Sequence, residues 1–158
     1  MSANSSLSGL SRILIEELAL LRDFIAALKS EQDLLVGGEI DSLTPILEEK
    51  GRLAAELGQR IARRNQALSS AGMESEKASM AVWLAGQPAA TQAGWEAILS
   101  LAKEARLMNE INGNLIKTRM QNNQQALAVL QAASNQVLLY GKDGQQLSGS
   151  GGRHFGAA

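Results

Sequence analysis

The stretch that decides the fold runs from Gln92 to Tyr140 and reads QAGWEAILSLAKEARLMNEINGNLIKTRMQNNQQALAVLQAASNQVLLY. It contains no proline, and its only glycines are Gly94 and Gly113. Mostly apolar residues recur in it at alternating steps of three and four, as they do along one face of an α-helix. These positions are Ile98, Leu101, Ala105, Met108, Asn112, Leu115, Arg119, Asn122, Ala126, Val129 and Ala133. The pattern predicts a single helix of about 65 to 70 Å, at about 1.5 Å per residue.

The predicted helix changes in character halfway along. Its middle is rich in asparagine, and apolar residues return after Asn123 to end in a continuous run from Val137 to Tyr140. A helix this long needs other segments beside it, and apolar surface that those segments leave bare usually marks a site for a partner. We therefore predict that the last helix overhangs the bundle and that residues 120–140 bind another protein.

Two further long helices and one short helix are predicted before it. Leucine spacing predicts a first helix of about 28 residues, which Gly37-Gly38 ends because glycine accepts the left-handed conformation of a helix terminus. A second begins near Asp41 or Ser42 and closes at Ala71-Gly72, and a short third spans Glu74–Ala85. The fold class is therefore all-α: an antiparallel bundle of three long helices plus one short helix. We expect a helical domain over 1–141 and a flexible Gly/Ser-rich tail over 142–158.

Details of the helices give narrower expectations. The interior glycines Gly51 and Gly58 are either simply tolerated or admit the close approach of another helix. Trp83 and Trp95 flank the turn before the last helix and are expected to plug one end of the bundle. The following charged residues are expected to lie on solvated faces: Glu16, Glu17, Glu48, Glu49, Arg60, Arg63 and Arg64.

Composition argues against several classes of function. The net charge of -1, from 15 basic and 16 acidic residues, gives no electrostatic case for nucleic acid or an anionic membrane. There is no cysteine, and the only histidine, His154, lies in the predicted tail. No nucleophile with a base, paired carboxylate or metal-ligand cluster is recognisable, so we predict no enzyme, no catalytic, cofactor or metal site and no cofactor. The amino terminus lacks the pattern of a signal peptide, and we expect a soluble, cytoplasmic protein without membrane insertion.

Several short motifs resemble those of the FlgN family of flagellar export chaperones. They are NEINGNLI at 109–116, NQQALAVL at 123–130, YGKDGQ at 140–145, and the Gly-Gly-Glu-Ile-Asp-Ser-Leu junction that follows the first helix. The resemblance implies a cytoplasmic chaperone that binds the disordered terminal segment of hook-filament junction proteins, prevents their premature assembly and delivers them to the flagellar type III export gate. It also implies that the carboxy-terminal helix holds this client and that a tyrosine docks at the gate, a role only Tyr140 can match.

The residue pattern and the resemblance both direct attention to the end of the last helix. The predicted partner-binding residues are Leu127, Val129, Leu130, Val137, Leu138, Leu139 and Tyr140. Two alternatives stay open. These residues pack internally, or the protein is a self-associating structural coiled coil without a client, in which the same stripe forms a dimer interface.

Overall fold

The computed structural model describes residues 7–73 and 76–139, without the side chains of 76–77 and 133–139. Over these residues it contains α1 (Leu10–Gly37), a 3-10 turn (Ile40–Ser42), α2 (Leu43–Ser70), α3 (Glu76–Ala85) and α4 (Ala89–Leu139), and no strand. This confirms the all-α prediction of three long helices and one short helix. α4 has 51 residues, against 28 in each of α1 and α2.

α1 and α2 end at the glycines that the sequence analysis predicted. Gly38 has a φ of 77°, and the N–H of Glu39 donates to the carbonyl of Leu34 at 2.9 Å. This is the Schellman arrangement, in which a left-handed residue turns the chain and satisfies the last helical carbonyls. Gly72, with a φ of 81°, ends α2 in the same way.

A core of apolar side chains is built from all four helices. It consists of Leu10, Leu14, Leu21, Ile25 and Leu28 of α1, Leu68 of α2, Met80 and Trp83 of α3, and Ile98 and Ala105 of α4. Trp95 is partly buried and packs against this core, so both tryptophans belong to it. The leucine spacing of α1 therefore predicted its buried face correctly.

The expectation that Glu17 and Arg64 are solvated was wrong. Glu17 is 3% exposed and Arg64 5%. Their side chains form an ion pair, and the guanidinium carbon of Arg64 lies 4.9 Å from the centre of the Trp95 ring. Glu17 falls three residues after one core leucine and four before the next, so the helical period brings it to the buried face. The ion pair with Arg64 of α2 offsets the cost of burying the Glu17 carboxylate.

A second buried ion pair repeats this arrangement. Glu31 is fully buried, and the ammonium of Lys50 lies 2.9 Å from its carboxylate. Lys50 also donates to the side-chain oxygen of Asn109 at 2.8 Å.

Each buried ion pair forms a polar layer across three helices. One layer contains Glu17, Arg64 and Trp95, and the other contains Glu31, Lys50 and Asn109. From the first layer to the second, the residue number rises by 14 on α1 and α4 and falls by 14 on α2. α2 therefore runs antiparallel to α1 and to the first part of α4.

Gly51 and Gly58 have no close neighbours. A Cβ built on either meets no atom within 4 Å, and both positions are exposed. Simple tolerance is therefore the correct interpretation, and close helix approach at these glycines is not.

The chain divides into two compact units, Met1–Gly113 and Asn114–Ala158. The core and both polar layers belong to the first unit. The predicted overhang of α4 stays a prediction. So does the predicted change from helical domain to tail after residue 141, which lies outside the described residues.

Candidate functional site

Side-chain burial on α4 differs between the two units. In the first unit Ile98, Ala105 and Asn112, spaced seven apart, are 3%, 6% and 0% exposed. In the second unit Leu115, Ile116 and Arg119 are partly buried, and every side chain from Met120 to Ala132 is exposed. An exposed helical segment that still carries large apolar residues is a candidate surface for a partner.

Three of the predicted partner-binding residues lie on this exposed segment. Leu127, Val129 and Leu130 are 58%, 68% and 64% exposed. Val137, Leu138 and Leu139 are in helical conformation, but their side chains are outside the described part of the structure, as is all of Tyr140. The first three residues are exposed in the structure. Partner binding by the set stays a prediction.

Helix geometry separates the three exposed residues. Successive residues of an α-helix are rotated by about 100°, so Leu127 and Leu130 share one face and Val129 points away from both. Met120, which is 58% exposed, stands seven residues before Leu127 and therefore on the same face. Sequence reasoning missed Met120. The repeat of seven was the signal that could have found it.

Two charged residues of α2, Glu49 and Arg52, have shifted pKa values. Arg52 donates to the carboxylates of Glu49 at 2.6 Å and Glu56 at 2.7 Å. The hydrogen bond from Arg52 lowers the pKa of Glu49, and the bonds to the carboxylates raise the pKa of Arg52. The side chains of Arg52 and Glu49 are about half exposed to solvent. Ion pairs at such surface positions contribute little to stability.

Two grooves of the first unit lack groups suited to acid–base chemistry. One, of about 200 Å³, is lined by Ser11, Leu14, Ile15, Leu18, Ala90, Thr91 and Gly94. Another, of about 290 Å³, is lined by Leu7, Ser8, Ser11, Trp83 and Gln87. Neither contains a carboxylate or histidine. Over the described residues, no three His, Cys, Asp or Glu side chains cluster as metal ligands would.

Comparison with known proteins shows the family of this chain. The family described as FlgN protein matches residues 1–148. The chain belongs to the FlgN family. It is 32% identical over 151 residues to the Flagella synthesis protein FlgN of Salmonella typhimurium, covering 91% of this chain and 95% of that one. The homologue of Proteus mirabilis is 29% identical over 131 residues, covering 82% and 84%, and that of Yersinia enterocolitica 30%, covering 82% and 83%. No solved structure matches the chain.

The asparagines that carry the resemblance to FlgN have definite structural roles here. Asn112 is fully buried and donates from its side-chain nitrogen to the carbonyl of Leu28 at 2.9 Å. Asn109 is exposed and accepts from Lys50. Both fix the first part of α4 against α1 and α2. In this FlgN-family chain these two amides therefore serve the scaffold.

Over the described residues, no helix of this FlgN-family protein combines the length and the apolar composition that crossing a bilayer requires.

Proposed function

We propose that this protein is a cytoplasmic flagellar export chaperone that binds the disordered terminal segment of hook-filament junction proteins. Membership of the FlgN family supports the flagellar role, because the relatives are named flagella synthesis proteins. The observation that carries client binding is the uninterrupted exposure of 120–132, with Leu127 and Leu130 on one face. An amphipathic client segment that lies on this face buries both apolar surfaces at once.

The energetics of such a complex suit a chaperone that must release its client. A disordered segment loses conformational freedom when it folds against α4, and this cost opposes the gain from apolar burial. The resulting affinity is moderate, which allows transfer to the export gate. Keeping the segment bound also prevents its premature assembly into the flagellum.

A pair of substitutions on α4 tests client binding. Leu130→Asp places a charge on the proposed face, so it should weaken binding of a synthetic terminal segment of a junction protein by about 100-fold or more, the cost of a desolvated charge. Leu138→Asp should act similarly. Gln125→Asp introduces the same charge at an exposed position on the other side of the helix and should change binding little. Binding is measured by isothermal titration calorimetry.

Thermal unfolding distinguishes binding from folding. Leu130 is 64% exposed, so Leu130→Asp should leave the melting temperature close to that of the wild type. If both aspartate variants unfold at much lower temperature, these leucines are core residues and the proposed client site is wrong.

Tyr140 is proposed to serve the export gate instead of the client. Tyr140→Ala should then reduce secretion of the junction proteins in cells while leaving their affinity for the purified chaperone unchanged. A loss of affinity equal to that of Leu130→Asp would assign Tyr140 to the client site.

The second candidate function is self-association through the same face, since exposed apolar helices also pair with their own copies. Sedimentation velocity over a range of protein concentrations separates the two. A tight dimer that Leu130→Asp dissociates would favour a structural role, whereas a weak dimer that client segments displace is compatible with the chaperone.

A further inference from the structure

The connection between α1 and α2 carries a concentrated negative charge. From Ser30 to Glu49 the sequence contains six acidic residues and no Lys, Arg or His. The acidic residues are Glu31, Asp33, Glu39, Asp41, Glu48 and Glu49. This stretch forms the end of α1, the 3-10 turn and the start of α2. We refer to residues 33–49 as the acidic corner.

Most carboxylates of the acidic corner are available to a partner. Four of them are exposed and, over the described residues, lie beyond ion-pair distance of any basic side chain: Asp33, Glu39, Asp41 and Glu48. The bases that follow the corner are already used, since Lys50 pairs with buried Glu31 and Arg52 pairs with Glu49. The corner therefore presents negative charge that its own neighbours leave uncompensated.

Helix stability explains only part of this charge. Asp41 lies at the amino-terminal end of α2, where the helix dipole favours a carboxylate. Asp33 lies near the carboxy-terminal end of α1, where the dipole disfavours one, and the last turn of that helix contains no basic residue. Glu48 lies beyond the first turn of α2, outside the reach of its dipole. The charge of the corner thus exceeds what the two helices need.

Large apolar side chains are exposed among these carboxylates. Val36, Ile40 and Leu47 are 67%, 45% and 44% exposed. Each belongs to a different one of the three elements that form the acidic corner. Apolar contacts supply binding free energy, whereas complementary charges orient a partner and speed its association. The corner offers both to a partner of the opposite charge.

The chemistry of the acidic corner selects one class of partner. Nucleic acids and anionic lipids carry the same sign of charge and are repelled. A metal ion fits poorly, because over the part of the chain that the structure describes no three Asp, Glu, His or Cys side chains cluster as ligands. We propose that the acidic corner binds a segment of another protein in which Lys or Arg side chains stand among apolar ones. This interaction is separate from the client binding proposed for α4 and does not rest on it.

A second copy of this chain is a poorer occupant of the corner. Basic and apolar residues stand together in Ile-Lys-Thr-Arg-Met at 116–120, but Arg119 is partly buried and already interacts within its own chain. That segment therefore offers Lys117 alone against four carboxylates. The arginines at 60 and 64 are likewise engaged in ion pairs of their own chain.

Three synthetic peptides of equal length test this chemistry against the full-length chain. The first combines lysine and leucine on one face of a helix, the second replaces each lysine by glutamine, and the third replaces each leucine by serine. The first should bind at least about 10-fold more tightly than either of the others, because it alone meets both the charge and the apolar surface. Its Kd should rise about 10-fold or more between 0.05 and 0.5 M NaCl, since salt screens exposed charges. Equal binding of the glutamine peptide, or binding that salt does not weaken, would overturn the proposal.

Two matched variants locate the site of binding. The corner variant neutralises three exposed carboxylates of the corner: Glu39→Gln, Asp41→Asn and Glu48→Gln. The control variant neutralises three exposed carboxylates elsewhere in the first unit: Asp23→Asn, Glu96→Gln and Glu110→Gln. Both change the net charge by the same amount. The corner variant should bind the lysine–leucine peptide about 10-fold more weakly and the control less than about twofold more weakly, because exposed charges act over roughly one Debye length. Equal weakening would mean that the peptide responds to net charge alone, and the proposal would be wrong.

Single substitutions test the apolar contacts and the rival sites. Leu47→Ser should weaken binding of the lysine–leucine peptide while the melting temperature stays close to that of the wild type, and Ile40→Ser in the 3-10 turn should act in the same way. Unchanged affinity in both variants would show that the corner makes no apolar contact with the peptide and would contradict the proposal. If Leu130→Asp weakens binding more than the corner variant does, the peptide occupies α4 and the proposal fails. If the corner variant alters sedimentation of the chain without peptide, a second copy occupies the corner and the proposal is likewise overturned.

Discussion

Single polar residues inside the bundle determine how its helices align. Glu31 and Asn112 are both fully buried, and each has a partner on another helix, at Lys50 and at the carbonyl of Leu28. An apolar stripe alone allows neighbouring helices to slide by one heptad, because leucine packs against leucine in either register. A buried carboxylate or amide does not allow this, since the shift would remove its partner.

Asn112 provides the sharpest test at this scale. Asn112→Asp keeps the size of the side chain but buries a carboxylate against a carbonyl oxygen, and it should lower the free energy of unfolding at pH 7 by about 3–5 kcal/mol. Asn112→Leu removes the polar group altogether and should cost less. Both are measured by urea unfolding followed by circular dichroism.

The matched control is Asn109→Asp, one turn away on α4. Asn109 is exposed and already accepts a hydrogen bond from the Lys50 ammonium. A carboxylate at this position improves the pairing, so stability should be unchanged or slightly higher. Equal destabilisation by Asn109→Asp and Asn112→Asp would contradict the roles assigned to the two amides.

Periodicity was sufficient to predict the helices but not every residue on their buried faces. The leucine pattern of α1 and the glycines at its end gave its length and its core face. The sequence analysis assigned Glu17 to a solvated face because Glu16 and Glu17 are adjacent charges. It did not use the position of Glu17 between two core leucines, which places it on the buried face. Its burial depends on Arg64, which is 47 residues away in sequence, and nothing in the local pattern predicts that pairing.

The interior glycines of α2 offer a test of the helix as an element. Gly51→Ala and Gly58→Ala should each stabilise the protein by about 0.4–1 kcal/mol, because alanine reduces the freedom of the unfolded chain and meets no neighbour within 4 Å. Gly72→Ala should destabilise it, since φ there is 81°. Thermal melts of the three single variants show whether each substitution raises or lowers the melting temperature. Destabilisation by Gly51→Ala would indicate a close neighbour on that face.

At the scale of the whole chain, scaffold and candidate surface occupy different stretches of sequence. Over the described residues, every buried side chain lies between Leu10 and Asn112, and every side chain of 120–132 is exposed. The sequence indicated this division through the loss of apolar stripe in the middle of α4. It did not show which apolar residues share the exposed face, because the predicted three-and-four stripe passes through Val129 and Met120 was overlooked. The identity of the client lies in another protein, so this sequence could indicate it only through family resemblance.

This division predicts that the scaffold folds without the candidate surface. A chain that ends at Met120 keeps every buried residue and the partly buried Leu115, Ile116 and Arg119, so its melting temperature should stay within about 5 °C of the full-length value. It should no longer bind terminal segments of the junction proteins, because Leu127 and Leu130 are gone. A chain that ends at Met108 loses buried Asn112 and should melt at a clearly lower temperature, which shows that the assay detects damage to the core. If the Met120 chain melts more than about 10 °C lower, residues 121–158 contribute to the stability of the bundle, and a role confined to binding is wrong.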